Sequence, residues 1–218
     1  MNHLVLLGVV LTPLALKTTS TDKQICTFSV AIRPYKREDP SWVLNVCAWG
    51  KLAAGLAGAD LTAGTILVLE GDLRIEKSRP AELQLRSFHV VSEPADLPGV
   101  NSIALVGRAG RNPEMRYFES GSVVANLTLA VNRRSRDDKP DWFNLEAWGK
   151  QAQVAADYVR KGSLLGITGS VGSQAWTDRT TGEERSKIVI RVDRLDLLGS
   201  KRDNDSNPEP AADEEIPF

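Results

Sequence analysis

Histidine and cysteine are scarce in this chain, with two of each among 218 residues. His3 and His89 have no His or Cys neighbour at metal-ligand spacing, so no zinc site is expected. Cys26 and Cys47 each fall within an apolar alternating run and read as buried thiols of a protein kept in a reducing compartment. A Gly-Lys-Ser/Thr phosphate loop is missing. No carboxylate pair recurs in a pocket-forming pattern, and Asp137 and Asp138 read as loop acids. These absences leave no case for catalysis, for a cofactor or for a metal. Long apolar runs are missing as well. Residues 4–16 are too short to cross a membrane, lack a basic n-region, and are followed by no small-residue cleavage pattern. The chain is expected to be cytoplasmic, with no membrane partner.

What is present is enough for real cores: 42% of residues are hydrophobic. The net charge of -1 hides an asymmetry. Residues 1–100 hold 10 basic and 10 acidic side chains, residues 101–199 hold 15 and 12, and residues 200–218 hold 2 and 6. A basic body with an acidic tail is the charge layout of many nucleic-acid binders.

The chain repeats itself. Ala48-Trp49-Gly50-Lys51 recurs as Ala147-Trp148-Gly149-Lys150, a shift of 99. The same shift carries residues 28–32 onto 127–131, and Asn2 and Gly8 onto Asn101 and Gly107. Two copies of one domain are the simplest account, since the period is too long and the copies too few for a solenoid. In the second copy, residues 101–107, 123–132 and 141–148 alternate as strands. Residues 151–160 read as a helix with Val154, Tyr158 and Val159 on one side and Gly162 as a stop. Two further strands, 163–170 and 188–198, flank a hairpin whose tip carries Asp178, Thr181 and Gly182. Three strands, a helix and two strands is the order of the five-stranded OB barrel. The expected fold is therefore all-β with one short helix per domain. It comprises an OB domain over 1–93, a proline-stiffened linker over 94–100, a second OB domain over 101–199, and a disordered acidic tail over 200–218.

Parity along 141–148 selects the binding residues. Phe143, Leu145 and Ala147 suit a barrel interior, which turns Trp142, Asn144, Glu146 and Trp148 outward. Trp176, followed by Thr177-Asp178-Arg179, sits on the protruding hairpin. Outward indoles on such a sheet provide platforms for base stacking. Cations surround them: Arg108, Arg111 and Arg116 after the first strand, Arg133, Arg134 and Arg136 after the second, Lys150 after Trp148, and Arg179, Arg185 and Lys187 on the hairpin. Together they outline a groove that follows a phosphate backbone. In the first copy Trp49 and Lys51 keep their places, but Val43 stands where the second copy has Trp142, and nothing aligns with Trp176. Trp42 takes the inward parity of Leu44, Val46 and Ala48. Two readings of residues 1–93 stand open: an assembly or spacer barrel, or a weaker binding barrel that uses Trp49, Tyr35, Arg33, Lys36 and Arg37.

Several motifs, in order, resemble the bacterial single-stranded-DNA-binding family. They are Asn101-Ser102-Ile103-Ala104-Leu105-Val106-Gly107-Arg108, Arg111-Asn112-Pro113-Glu114-Met115-Arg116-Tyr117, Ala125-Asn126-Leu127-Thr128-Leu129-Ala130, Trp142 with Trp148-Gly149-Lys150, Asp157-Tyr158-Val159-Arg160-Lys161-Gly162-Ser163 and Trp176-Thr177-Asp178. The final Asp213, Glu214, Glu215, Ile216, Pro217 and Phe218 resemble that family's terminal acidic motif. The resemblance implies that Trp142, Trp148 and Trp176 stack bases and that the protein coats single strands without marked sequence preference in replication, recombination and repair. It implies docking of helicases, nucleases and polymerase subunits on the tail tip, nucleoid association, and self-association into a homodimer or homotetramer. Where many members carry an aromatic after the second strand, this chain has Arg133-Arg134-Ser135-Arg136. The alternatives are an oligomeric replisome scaffold and an RNA-binding OB protein.

Overall fold

The apolar strand β1 (Asn2–Val10) pairs with three other strands. The computed structural model describes residues 1–32, 41–76, 79–92, 99–133, 139–177, 182 and 184–199; of residues 175, 184 and 185 it describes the backbone alone. The expected tail, 200–218, lies outside the described residues, as do Arg33, Tyr35, Lys36, Arg37, Asp178, Thr181 and most of the expected linker.

The first half of the chain runs β1, β2 (Ala15–Thr18), β3 (Gln24–Ile32), β4 (Trp42–Trp49), α1 (Lys51–Gly58), β5 (Ile66–Glu76) and β6 (Arg79–Val90). The second half repeats it as β7 (Asn101–Ala109), β8 (Glu114–Tyr117), β9 (Val123–Val131), β10 (Asp141–Trp148), α2 (Lys150–Tyr158), β11 (Leu164–Thr177) and β12 (Glu184–Leu197). In each half five strands close a ring. The first is β1–β3–β4–β6–β5 and back to β1; the second is β7–β9–β10–β12–β11 and back to β7. Only the β4–β6 and β10–β12 pairings are parallel among those of the described strands. This is the OB barrel, with its helix between the third and fourth ring strands. The five-strand reading omitted β2 and β8, which pair onto the outer edges of β3 and β9. Four-residue strands are too short to announce themselves by alternation.

Alternation fills the rings. Leu67, Leu69, Leu73 and Leu83 are fully buried in the first, and Ile103, Leu105, Leu129 and Phe143 are buried in the second. Each such side chain stabilises its ring by roughly 1.5–3 kcal/mol. Cys26 and Cys47 are free and buried. Burial pushes the Cys47 thiol up to about 11, so it stays protonated at neutral pH.

Helices of eight and nine residues do not stand alone in water and form here by packing. The α2 face differs from the expected one. Ala152 and Ala155 are buried, joined by Val159, whereas Tyr158 points outward at 60% exposure. Val159 is already extended (φ -88°, ψ 131°), so it leaves the helical period and turns back to the barrel. The Trp-Gly-Lys repeat also has a local cause. Gly50 and Gly149, at φ 58° and 53°, turn the chain from the end of a strand directly into a helix. A side chain is strained at that φ.

The rings meet along β1 and β7, paired antiparallel from Asn2 opposite Leu105 to Leu6 opposite Asn101. Six strands, β6-β5-β1-β7-β11-β12, thereby run continuously through both rings. The repeated asparagines act alike. Asn2 donates to the Leu73 carbonyl (2.7 Å) and accepts from its N–H (3.1 Å); Asn101 does the same to Val171 (2.7 and 2.9 Å).

Candidate nucleic-acid interface

Strand β10 alternates as its sequence requires. Phe143, Leu145 and Ala147 are buried, while Trp142 and Trp148 are 48% and 45% exposed on the opposite face with Asn144 and Glu146. Trp176 is 44% exposed on β11. It stands on an arm: β11 leaves β7 after Gly169, β12 meets β10 only at residues 190–192, and beyond these the two strands pair with each other alone.

The indoles are held differently. Trp148 stacks with Phe118, ring centroids 5.6 Å apart and planes 17° apart. Phe118 is itself 45% exposed, and its neighbour Tyr117 is 79% exposed. Trp142 lodges its benzo edge against Gly110, where an added Cβ would lie 2.4 Å from Cζ3. No alternation marks Phe118, which closes a turn through its N–H to Ser122. Its one signal in the sequence is the adjacent aromatic pair Tyr117-Phe118.

The expected cations divide into groups. Arg111, Arg116 and Lys187 line one groove with Trp148, Phe118 and Asn144. Arg111 also pairs with Glu114 (2.9 Å), both well exposed, a contact too solvated to hold it firmly. Lys150 opens α2 beside Trp148, in a shallow recess with Gly121. Arg108 is turned aside and donates to the Gly162 carbonyl (3.0 Å). Arg185 has its backbone opposite Trp176; its side chain, with Arg134, Arg136 and Arg179, lies outside the described residues. Arg191 was not foreseen. It is exposed on β12 in register with Glu146, on the groove side of the sheet.

Arg133 departs from the expected role. Its side chain is 13% exposed, and its guanidinium is committed to two carboxylates, Asp141 (2.8 Å) and Glu76 (2.9 Å). Asp141 is 1% exposed and also takes Arg74 (3.2 Å) and the backbone N–H of Ile75 (3.3 Å). Three consecutive residues of β5 are thus clasped to the second ring. Hydrogen bonding to Asp141 raises the Arg133 pKa further, and Arg133 in turn holds the Glu76 carboxyl below the ordinary glutamate range. A cation this well matched has little to offer a phosphate.

The first ring presents a poorer face. Trp42 is half-buried against the core, and Val43, Asn45 and Trp49 lie on the other parity. Trp49 is 46% exposed, but its indole N–H is donated to Gln84 (3.0 Å). In the β4–β6 register Glu82 and Gln84 stand where the second ring has Val189 and Arg191. The first groove therefore has a carboxylate at its floor, with its pKa raised by burial, and lacks the arginine.

Comparison with known proteins gives a consistent picture. A family model described as the single-strand binding protein family matches residues 1–92 and again 100–198. The single-stranded DNA-binding protein of Thermosynechococcus vestitus is 66% identical over 113 residues, covering 52% of this chain and 94% of that protein. Single-stranded DNA-binding protein 1 of a Nostoc species is 59% identical over 115 residues, covering 53% of this chain and 97% of that protein. The crystal structure of the wild-type single-stranded DNA binding protein from Thermus aquaticus shares the fold, with a TM-score of 0.69 at 22% identity, covering 97% of each chain.

Proposed function

This chain belongs to the single-strand binding protein family, and on that premise we propose that it coats single-stranded DNA without marked sequence preference, as a binding protein and not an enzyme. The observation that carries the reading is the pair of half-exposed indoles on one face of β10, Trp148 in a groove with Arg111, Arg116 and Lys187 and Trp142 on a slot with Lys139. Bases stack on Trp142, Trp148 and Trp176 while the cations follow the backbone. Stacking is indifferent to sequence because every base has a π-face. On this reading the chain comprises two OB domains, 1–93 and 101–199, joined by a linker over 94–100. Two such chains would present four barrels, and self-association is part of the reading.

The roles follow from the chemistry. Such a coat serves replication, recombination and repair in the cytoplasm, at the nucleoid. The terminal segment, residues 213–218, combines three acids with Ile216 and Phe218, and it fits a basic pocket with an apolar floor on a helicase, nuclease or polymerase subunit.

Titration with dT and rU oligomers, followed by tryptophan fluorescence, tests the proposal. Quenching by both dT and mixed-sequence DNA is expected, with tighter binding of DNA than of rU. Affinity should fall with salt at a log–log slope of about -0.7 per phosphate neutralised. No quenching by any single strand would return the molecule to a scaffold, and preference for rU would make it an RNA binder. Light scattering of the free protein gives the number of barrels per particle.

A further inference from the structure

The end of strand β5 lies against the start of β10, and between them is a slot lined by Ile75 and Glu76 from the first ring and by Arg133, Lys139, Pro140 and Trp142 from the second. We propose that the first ring completes the base-binding site of the second: a nucleobase stacked on Trp142 is enclosed on its far side by Ile75. The inference rests on the single-strand reading above.

Three features carry it. First, the slot has fixed walls. Arg74, Ile75 and Glu76 are all bonded to Asp141 or Arg133, and Asp141 immediately precedes Trp142. A wall held at three consecutive residues costs little entropy when a ligand enters. Second, the indole is open beside the wall. Its benzo edge rests on Gly110, while the ring stays half-exposed beside a slot bounded by Ile75 and Pro140. Third, the charges sort the parts of a nucleotide. The Glu76 carboxylate accepts from Arg133, and its remaining acceptor capacity suits the N–H edges of a base. Lys139, also on the slot, can meet the phosphate. The reciprocal position on the first ring has Val43 in place of the indole, so the second ring's arm has no base platform there to enclose.

A double-mutant cycle on the full chain tests this, with dT affinity as the readout and urea melts to establish folding. Ile75→Ala should weaken binding roughly three- to tenfold in the wild-type background and by less than about twofold when Trp142→Ala is also present. Combined with Trp148→Ala, the same change should be additive, because Trp148 closes the other end of the strand. If Ile75→Ala does not fold, Ile75→Val takes its place, with a smaller loss and the same coupling. An unchanged affinity, or an equal loss in the wild-type and Trp142→Ala backgrounds, would overturn the proposal and leave the single-strand reading intact. A wild-type protein that binds no dT would remove both.

Discussion

Three half-exposed tryptophans stand on strands of the second ring, and each is held by different neighbours. Trp142 is seated on Gly110, Trp148 is backed by Phe118, and Trp176 stands on the projecting arm. Parity alone exposed the first two, because a period of two leaves an outward tryptophan no other place in a strand whose inward set is Phe143, Leu145 and Ala147. Trp148→Ala and Trp176→Ala are each expected to weaken dT binding by about 1–3 kcal/mol with the fold preserved. Phe118→Ala should weaken it less than Trp148→Ala, and should weaken it little further once Trp148 is gone, since its contribution passes through the stacked pair. Fluorescence titration of the single and double variants decides this. A full additive loss would mean that Phe118 meets DNA on its own. Phe118 and Arg133 were not assignable from the sequence for related reasons. Phe118 acquires its place by a turn, and Arg133 finds one acid partner eight residues away and another in the other ring, at Glu76. A list of basic residues cannot distinguish a cation facing solvent from one already matched.

At the scale of elements, the β5–β6 hairpin and the strand β10 belong to different rings but act as one unit. The repeat predicted both rings, because their strands alternate and the Trp-Gly-Lys turn recurs. The short, proline-stiffened linker implied that the rings sit close together, but the residues that join them were not legible, since the clasp joins Arg74, Glu76, Arg133 and Asp141, and the first copy has Trp42 where the second has Asp141. Replacing Arg133 by Ala should destabilise the protein by roughly 2–4 kcal/mol. That is somewhat below the loss for a fully isolated buried pair, because Arg74 and the Ile75 N–H still serve Asp141. The clasp also has an acid limit. Arg133 lowers the Glu76 pKa, by hydrogen bond first and by charge second. A depressed folded value stabilises the native state fully above the ordinary 4.5, and that contribution is lost as pH falls through the lower folded value. Glu76→Gln should therefore melt below wild type at neutral pH, and the gap should close in acid. Melts of the two proteins across that range check it, and a gap independent of pH would mean that Glu76 contributes no charge to the clasp.

For the whole molecule the informative contrast is between the groove of the second ring and the end of the chain. The groove gathers Arg111, Arg116 and Lys187 around aromatic rings. Residues 200–218 carry six acids against two bases on the same chain. A tethered polyanion competes with DNA phosphates at an effective concentration set by its reach, so in the free protein the terminal segment should occupy part of the cationic groove. DNA should then displace it, and by linkage its apolar tip should become more available to a partner when a strand is bound. Deleting 204–218 should leave both rings folded and strengthen dT binding modestly at low salt, with the gain fading as salt screens the competition. Removing Phe218 alone should leave DNA affinity unchanged, because the acids remain, and should abolish recovery of replication and repair enzymes, because the apolar anchor goes and the terminal carboxylate moves. Titrations in low and high salt, with pull-downs by wild type and the Phe218 deletion, separate the two effects. If the longer deletion changed nothing at low salt, the acids would not be reaching the groove. If both proteins recovered helicases, nucleases and polymerase subunits equally, the tip would be a solubilising extension and the coupling of coating to recruitment would lie elsewhere.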